Sequence, residues 1–461
     1  MTYALSLRRT LSLAIALPFF AASCATENSS DPATGWARLP DILKRIVPPQ
    51  FPARLFTVTD YGAIGDGTND SSQAFQKAIT ECSSAGGGSV VVPEGTFLTG
   101  PIHLQNNVNL HLNKGAIIRF STNPDDYLPV VFTRFEGTEV MNYSPLIYAF
   151  EKTNIAVTGE GTIDGQASDT AWHDWARSGD PKHLVDMANQ GVPTVQRIFG
   201  KGHHLRPNFV EPVRCHNVLI EGVTILNSPM WVLSPVYCTN VTIRKITIKT
   251  KGTNTDGCDP DSCSDVLIEG CSFSDGDDCI AIKSGRDRDG QKVNIPCRNL
   301  VVKDCHFEAG HGGIAIGSET SGGIENVFGE NCNFDSPDLE MALRFKTNPA
   351  RGGYIQNVFI RNCAVKTAQV GVHMTLRYGS NGAMNGESVP IIRDVHIQDC
   401  TFSNLTTRPI FIQGWSPTNQ ITDVSIVGCN FLQAMEDSVI TNASNIDLSN
   451  TQGARLAQKS F

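Results

Sequence analysis

Eight short segments from residue 217 onward share one pattern, and that pattern leaves few folds open. "NVLIEGVTI" begins at Asn217, "NVTIRKITI" at Asn240, "DVLIEGCSF" at Asp265 and "NLVVKDCHF" at Asn299. "NVFGENCNF", "NVFIRNCAV", "DVHIQDCTF" and "DVSIVGCNF" follow from Asn326, Asn357, Asp394 and Asp423. Each has Asn or Asp, two apolar residues flanking a variable one, two turn-like residues, and then a second apolar pair. Alternation within each half is the strand period, so Val266 with Ile268, and Cys271 with Phe273, point one way. A bend between the halves keeps both pairs inside. One such unit cannot bury its face alone, but stacked units can. The expected fold is all-β, a single-domain right-handed parallel β-helix with coils about 4.8 Å apart. Start-to-start spacings of 23 to 37 residues send the extra residues into loops. The Asn/Asp positions should stack as a ladder, their side chains bonding to backbone.

Cys271, Cys305, Cys332, Cys363, Cys400 and Cys429 fill the same slot in six consecutive units. The slot faces inward, so it predicts a column of reduced thiols serving as small apolar side chains. A zinc site does not fit six cysteines spread over six coils. The open N-terminal end of a stack needs a cap. After Asp70, placed as the N-cap, Ala74, Phe75, Ala78, Ile79 and Cys82 form a helical apolar stripe that supplies one. "GAIGDG" lacks the Gly-Lys-Ser/Thr ending of a phosphate loop and reads as the turn before this helix.

Arg8-Arg9, the run "LSLAIALPFFAA" and small residues up to Cys24 read as an export signal over residues 1–24, too short to span a membrane. "AASC" resembles a lipoprotein signal, which would put a lipid anchor on Cys24, and "RRTL" faintly resembles a twin-arginine signal. Residues 25–53 read as a linker and 54–461 as the β-helix domain. The mature chain is expected to be exported, a monomer, and without an integral membrane segment. A formal charge of −9 argues against nucleic acid as a partner.

Aligning neighbouring units exposes the chemistry. "GDDCIAIKS" (276–284) matches "GHGGIAIGS" (310–318) without a gap, which stacks Asp277 beneath His311. Asp256 lies one coil earlier. In "ALRFKT" one coil later, Arg344 and Lys346 flank the inward Phe345, and alternation puts Lys283, Arg344 and Lys346 outside with the acids. Two acids facing across a cleft can protonate a glycosidic oxygen and activate a water. Like charge, as between Asp277 and Asp278, raises one pKa and keeps a proton available. Arg and Lys nearby would hold the carboxylate of an anionic sugar.

"NTDG", "GDDCIAIKSG", "GHGGIAIGS" and "RFK" closely resemble, in order, the four signature motifs of the polygalacturonases, glycoside hydrolase family 28. The resemblance covers roughly residues 54–440 and implies a pectin lyase-like solenoid that hydrolyses α-1,4-galacturonosyl linkages of pectin with inversion, without a metal or other cofactor. It implies Asp277 as general acid, Asp256 and Asp278 activating water, and His311 tuning the acid. Asn254, Lys283, Arg344 and Lys346 would bind polygalacturonate. Inversion predicts about 6.5–9.5 Å between acid and base carboxyl groups. Phe345 departs from the family's usual Ile or Leu, but faces inward. "TRFEGTEVMNYSPLIYA" and "GIAIGSETSGGI" resemble the bacterial exo-acting branch. The excursion carrying Trp172, Trp175, His203, His204 and Arg206 could wall off one end of the groove.

Rival readings are a rhamnogalacturonan or xylogalacturonan hydrolase, a calcium-dependent pectate lyase using "DPDS" and "DGDD" as oxygen ligands, and a non-catalytic β-helical polysaccharide binder. A lyase needs a base for the C5 proton, and stacked histidine with paired acids fits hydrolysis better.

Overall fold

The computed structural model describes residues 32–336, 338–379 and 386–457; the stretch read as an export signal, with Cys24, lies outside them. Thirteen parallel strands form one sheet whose order follows the sequence. The repeats lie in register across it: Val218, Val241, Val266, Leu300, Val327, Val358, Val395 and Val424 pair in succession. A second sheet takes the other half of each repeat, from Ile225 through Ile248, Phe273, Phe307, Phe334, Val365 and Phe402 to Phe431. All these side chains are buried, so the two halves do share one interior. A third face starts as the bridges Val210–Leu233–Cys258–Ile280 and continues as strands Ile280–Ile282, Gly312–Gly317 and Met341–Lys346. The result is the expected right-handed parallel β-helix.

The Asn/Asp positions opening the eight repeats all have φ between 51° and 58°, the left-handed region these residues tolerate best after glycine. They form a ladder, but mainly from side chain to side chain rather than to backbone. Asn240 Nδ2 donates to Asn217 Oδ1 (2.6 Å), Asn299 Nδ2 to Asp265 Oδ1 (3.0 Å) and Asn326 Nδ2 to Asn299 Oδ1 (3.1 Å). Once φ is positive, the side chain points along the stack and its nearest partner is the same residue one coil away.

The six predicted cysteines form their column, each thiol donating to the carbonyl two residues earlier. Every described cysteine is free and buried. A second set, Cys215, Cys238, Cys263 and Cys297, lies two residues before four successive repeats; Ile324, Ile355, Ile392 and Ile421 hold that position in the later ones.

Helix Ser72–Ser84 caps the stack and buries the five expected residues. Ser71 is the N-cap residue, and Asp70 Oδ1 accepts from the Ser72 amide at 2.9 Å. The stretch expected as a linker is partly folded. Helices Pro32–Trp36 and Leu39–Arg45 lie on the outer face of the thirteen-stranded sheet, where Leu39, Ile42 and Ile46 bury with Val301, Phe328 and Phe359. The variable repeat position is apolar in those coils and needs a cover. Each helix is too short to show a 3.6-residue period. Among the described residues no helix is long and apolar enough to cross a membrane.

Candidate active site

The third face carries the site. Register Ile280–Ile314–Leu343 turns these residues inward, and Phe345 is buried beside them as expected. Three residues before the first two of these stand Asp277 and His311. The His311 amide donates to the Asp277 carbonyl at 2.8 Å, and His311 Nδ1 lies 3.1 Å from Asp277 Oδ1. The bridge Cys258–Ile280 puts Asp256 level with Asp278 on the adjacent coil.

One oxygen from each of Asp256, Asp277 and Asp278 lies within 4.8 Å of the others. The wider acid–base separation expected from inversion is therefore not what the fold builds. Residues in register on neighbouring coils are held at the coil spacing. Such a trio could also hold a cation, and protein cations already lie against two of its members. Arg344 NH1 donates to Asp278 Oδ1 at 2.9 Å and Lys346 Nζ contacts the other oxygen, with Asp278 fully buried. Lys283 Nζ is ringed by Asp256 (3.5 Å), Asp259 (3.4 Å) and Glu319 (3.3 Å). Burial disfavours its charge, yet Glu319, Asp256 and Asp259 together hold Lys283 above its ordinary pKa. The predicted sugar-binding cations are thus engaged with the acids rather than free.

Protonation is split within the trio. Burial, reinforced by the charges of Asp277 and Asp278, pushes Asp256 up to about 7. Asp277 goes the other way: burial would raise it, but the His311 hydrogen bond with Lys346 and Lys283 holds it below the usual range. Its bond to Asp277 raises His311 in turn. Of these two, the raised carboxyl is Asp256, one coil before Asp277. Asp256 and Asp277, this close, titrate as a pair that shares a proton.

The pocket around these groups is lined by Asn254, Asp256, Asp277, Lys283 and Lys346, and also by Trp231, Tyr378, Glu319, Glu136 and Arg286. Sequence reasoning missed the latter five. Lys283 lies 4.3 Å from the centroid of the Trp231 ring, and Lys346 5.0 Å from that of Tyr378. Glu319 directly follows "GIAIGS" and Arg286 directly follows "GDDCIAIKSG", so both could have been read from those motifs; Glu136, Trp231 and Tyr378 arrive on remote loops.

Hairpin strands Val131–Phe135 and Thr138–Asn142 bring their tip to the wall of the pocket. At its tip Glu136 contacts Arg286, and the Gly137 carbonyl accepts from the Arg286 amide at 3.0 Å. Gly137 has φ +77°, and a Cβ there would meet Glu319 Cγ at 2.9 Å, so only glycine lets the tip seat this deeply. Trp175 instead packs edge to face against Trp172 and His204, and none of the three lines the pocket. Of the excursion residues singled out, only Arg206 reaches the site residues, donating to Asn254 Oδ1 (2.8 Å) and the Thr253 carbonyl (2.6 Å).

A family model described as glycosyl hydrolases family 28 matches residues 82–450. A probable polygalacturonase of Vitis vinifera is 33% identical over 365 residues, covering 76% of this chain and 69% of that protein. An exo-poly-alpha-D-galacturonosidase of Dickeya chrysanthemi is 29% identical over 76% of this chain and 63% of that protein. The crystal structure of a hyperthermoactive exopolygalacturonase from Thermotoga maritima superposes with a TM-score of 0.87 and 40% identity, over 91% of this chain and 97% of that one.

Proposed function

The chain belongs to glycosyl hydrolase family 28 as a hydrolase of polygalacturonate, and from that premise we propose that it removes galacturonate from chain ends with Asp277 as general acid and Asp256 with Asp278 activating water. The observation that carries this reading is the carboxylate trio, contacted by Lys283, Arg344 and Lys346 in a pocket walled by the hairpin residue Glu136.

Asp256 Oδ1 is buried and, among the described residues, without a hydrogen-bond partner, so it offers an acceptor for the attacking water. A galacturonate carboxylate drawn toward Lys346 and Lys283 weakens the pull of those cations on Asp277. The shared proton then shifts from Asp256 to Asp277, leaving the acid charged with its proton and the base free. His311 steers this exchange through its bond to Asp277. Asn254, held by Arg206, and Tyr378, beneath Lys346, border the sugar. Hairpin tip Glu136–Gly137 stops the chain from threading through, which favours attack at ends. The export signal suits an enzyme whose polymer substrate lies outside the cell, and Cys24 is the residue a lipid anchor would use. No metal takes part in this scheme.

The test is a time course on polygalacturonate with products separated by chromatography. A single early product, galacturonate or digalacturonate, is expected. A ladder of oligomers would overturn end attack, and no new reducing ends would overturn galacturonan as the substrate.

A further inference from the structure

From Trp36 to Val47 the chain crosses the outer face of the thirteen-stranded sheet and ties itself to the residues of the repeats. Trp36 Nε1 donates to Gln398 Oε1 (3.2 Å), Arg38 NH1 to Asn326 Oδ1 (3.4 Å) and Arg45 NH2 to Asp265 Oδ1 (2.8 Å). Val47 exchanges two bonds with Asn240: its amide donates to Oδ1 at 2.9 Å, and Asn240 Nδ2 donates to its carbonyl at 2.8 Å. Between these ties Leu39 and Ile42 cluster with Val301, and the Arg361 guanidinium lies 3.8 Å from the centroid of the Trp36 ring. One short segment thus touches six neighbouring strands, from that of Asn240 to that of Gln398. These strands open the coils that carry the site. Asp256 follows Asn240, Asp277 and Lys283 follow Asp265, His311 follows Asn299, and Arg344 and Lys346 follow Asn326.

The segment is held tightly at both ends. A Cβ on Gly35 would stand 2.1 Å from the Phe359 ring, which is stacked between Phe328 and His396 (centroids 5.3 and 5.2 Å) and cannot give way. At the other end Leu55 pairs with Ser89 where the sheet begins, five strand spacings from Asn240. Five spacings come to about 24 Å. The stretch from Val47 to Leu55 reaches about 25 Å as an extended polyproline chain, and Pro48, Pro49 and Pro52 keep it extended. With so little slack, the segment docks on its own chain.

Coil stacking sets the distances within the site, and the like charges of the acid trio push neighbouring coils apart. We propose that residues 35–47 form a clasp that holds the coils of Asp256, Asp277, His311 and Lys346 in register, a positioning element acting on the site through the scaffold from another face. Its polar ties go to the ladder residues opening those coils, which a mere cover for Val301 and Phe328 does not require. Once the clasp is released, the coils open locally without global unfolding. Acid, base and cations then drift from the geometry that catalysis needs. The kinetic consequence rests on the galacturonan reading; the clasp itself does not.

Two variants separate a clasp from a cover. Arg38→Ala combined with Arg45→Ala cuts two ties and leaves the apolar packing, while Gly35→Val wedges the segment off Phe359. Hydrogen exchange should show faster deuterium uptake over residues 254–262 and 277–283 in both, at a temperature where their β-sheet spectrum matches the wild type. On polygalacturonate kcat should fall about tenfold, with KM unchanged. Wild-type exchange and wild-type kcat in both variants, whatever their melting temperatures, would reduce the segment to a cover and overturn the proposal. Release of no reducing ends by the wild type would overturn the galacturonan reading, with hydrogen exchange still deciding the clasp.

Discussion

His311 and Asp277 stand one coil apart, joined both by backbone, through the His311 amide and the Asp277 carbonyl, and by a 3.1 Å contact between Nδ1 and Oδ1. The imidazole holds the acid down and the acid holds the imidazole up. His311→Gln removes the cation, so the Asp277 carboxyl rises and keeps its proton to higher pH. The alkaline limb of the kcat profile should therefore move upward, with kcat itself reduced by about 10–100-fold. An unshifted limb would leave His311 with only a structural role.

Asp278 is fully buried between Arg344 and Lys346. Removing one partner of such a pair strands a buried charge, at a cost of about 3–5 kcal/mol. Lys346→Met should lower the melting temperature markedly, and adding Asp278→Asn should recover much of the loss without restoring activity. Calorimetry on the single and double variants checks this.

The repeats, the cap helix and the catalytic face were legible because each is written in local periodicity. Asn217 through Asp423 mark eight successive turns, and gapless alignment alone stacks Asp277 on His311. Other features follow from relations that periodicity does not carry. Glu136, Trp231 and Tyr378 reach the pocket on loops whose lengths say nothing about where they end. Helices of five and seven residues leave no apolar period, so Trp36 and Ile42 look like linker residues. The engagement of Lys283, Arg344 and Lys346 with the acids needs side-chain geometry, as does the transfer of the raised pKa to Asp256.

Buried acids give stability a pH slope of known sign. Burial lifts Asp256 and Glu211 to about 7, while unfolded carboxyls titrate near about 4. Between those values the native state holds protons that the unfolded state has released, so stability falls as pH rises through that window. The melting temperature should be higher at pH 5 than at pH 7.5. Glu211→Gln, which cannot ionise, should flatten the slope.

Among the described residues, thirteen buried free thiols without a bridge predict that a reductant does nothing to the fold. Melting curves with and without dithiothreitol should coincide. A drop of several degrees on reduction would mean that some of these cysteines are paired.

Short spacing within the acid trio makes stereochemistry informative. If Asp256 and Asp278 activate water while Asp277 donates the proton, the first product is the β-anomer of galacturonate from an α-linkage. Proton NMR during the first turnovers should show the β signal before mutarotation; initial α product would instead make one of the carboxylates a nucleophile.

The most direct measurement is the rate of reducing-end release from polygalacturonate by the wild type and by Asp277→Asn, in the presence of a chelator. Wild-type activity should survive the chelator, and the variant should lose about 10²–10⁴-fold in kcat while keeping its β-sheet spectrum and melting temperature. Equal rates for the two proteins, or a wild-type rate abolished by the chelator, would contradict metal-free acid catalysis by Asp277.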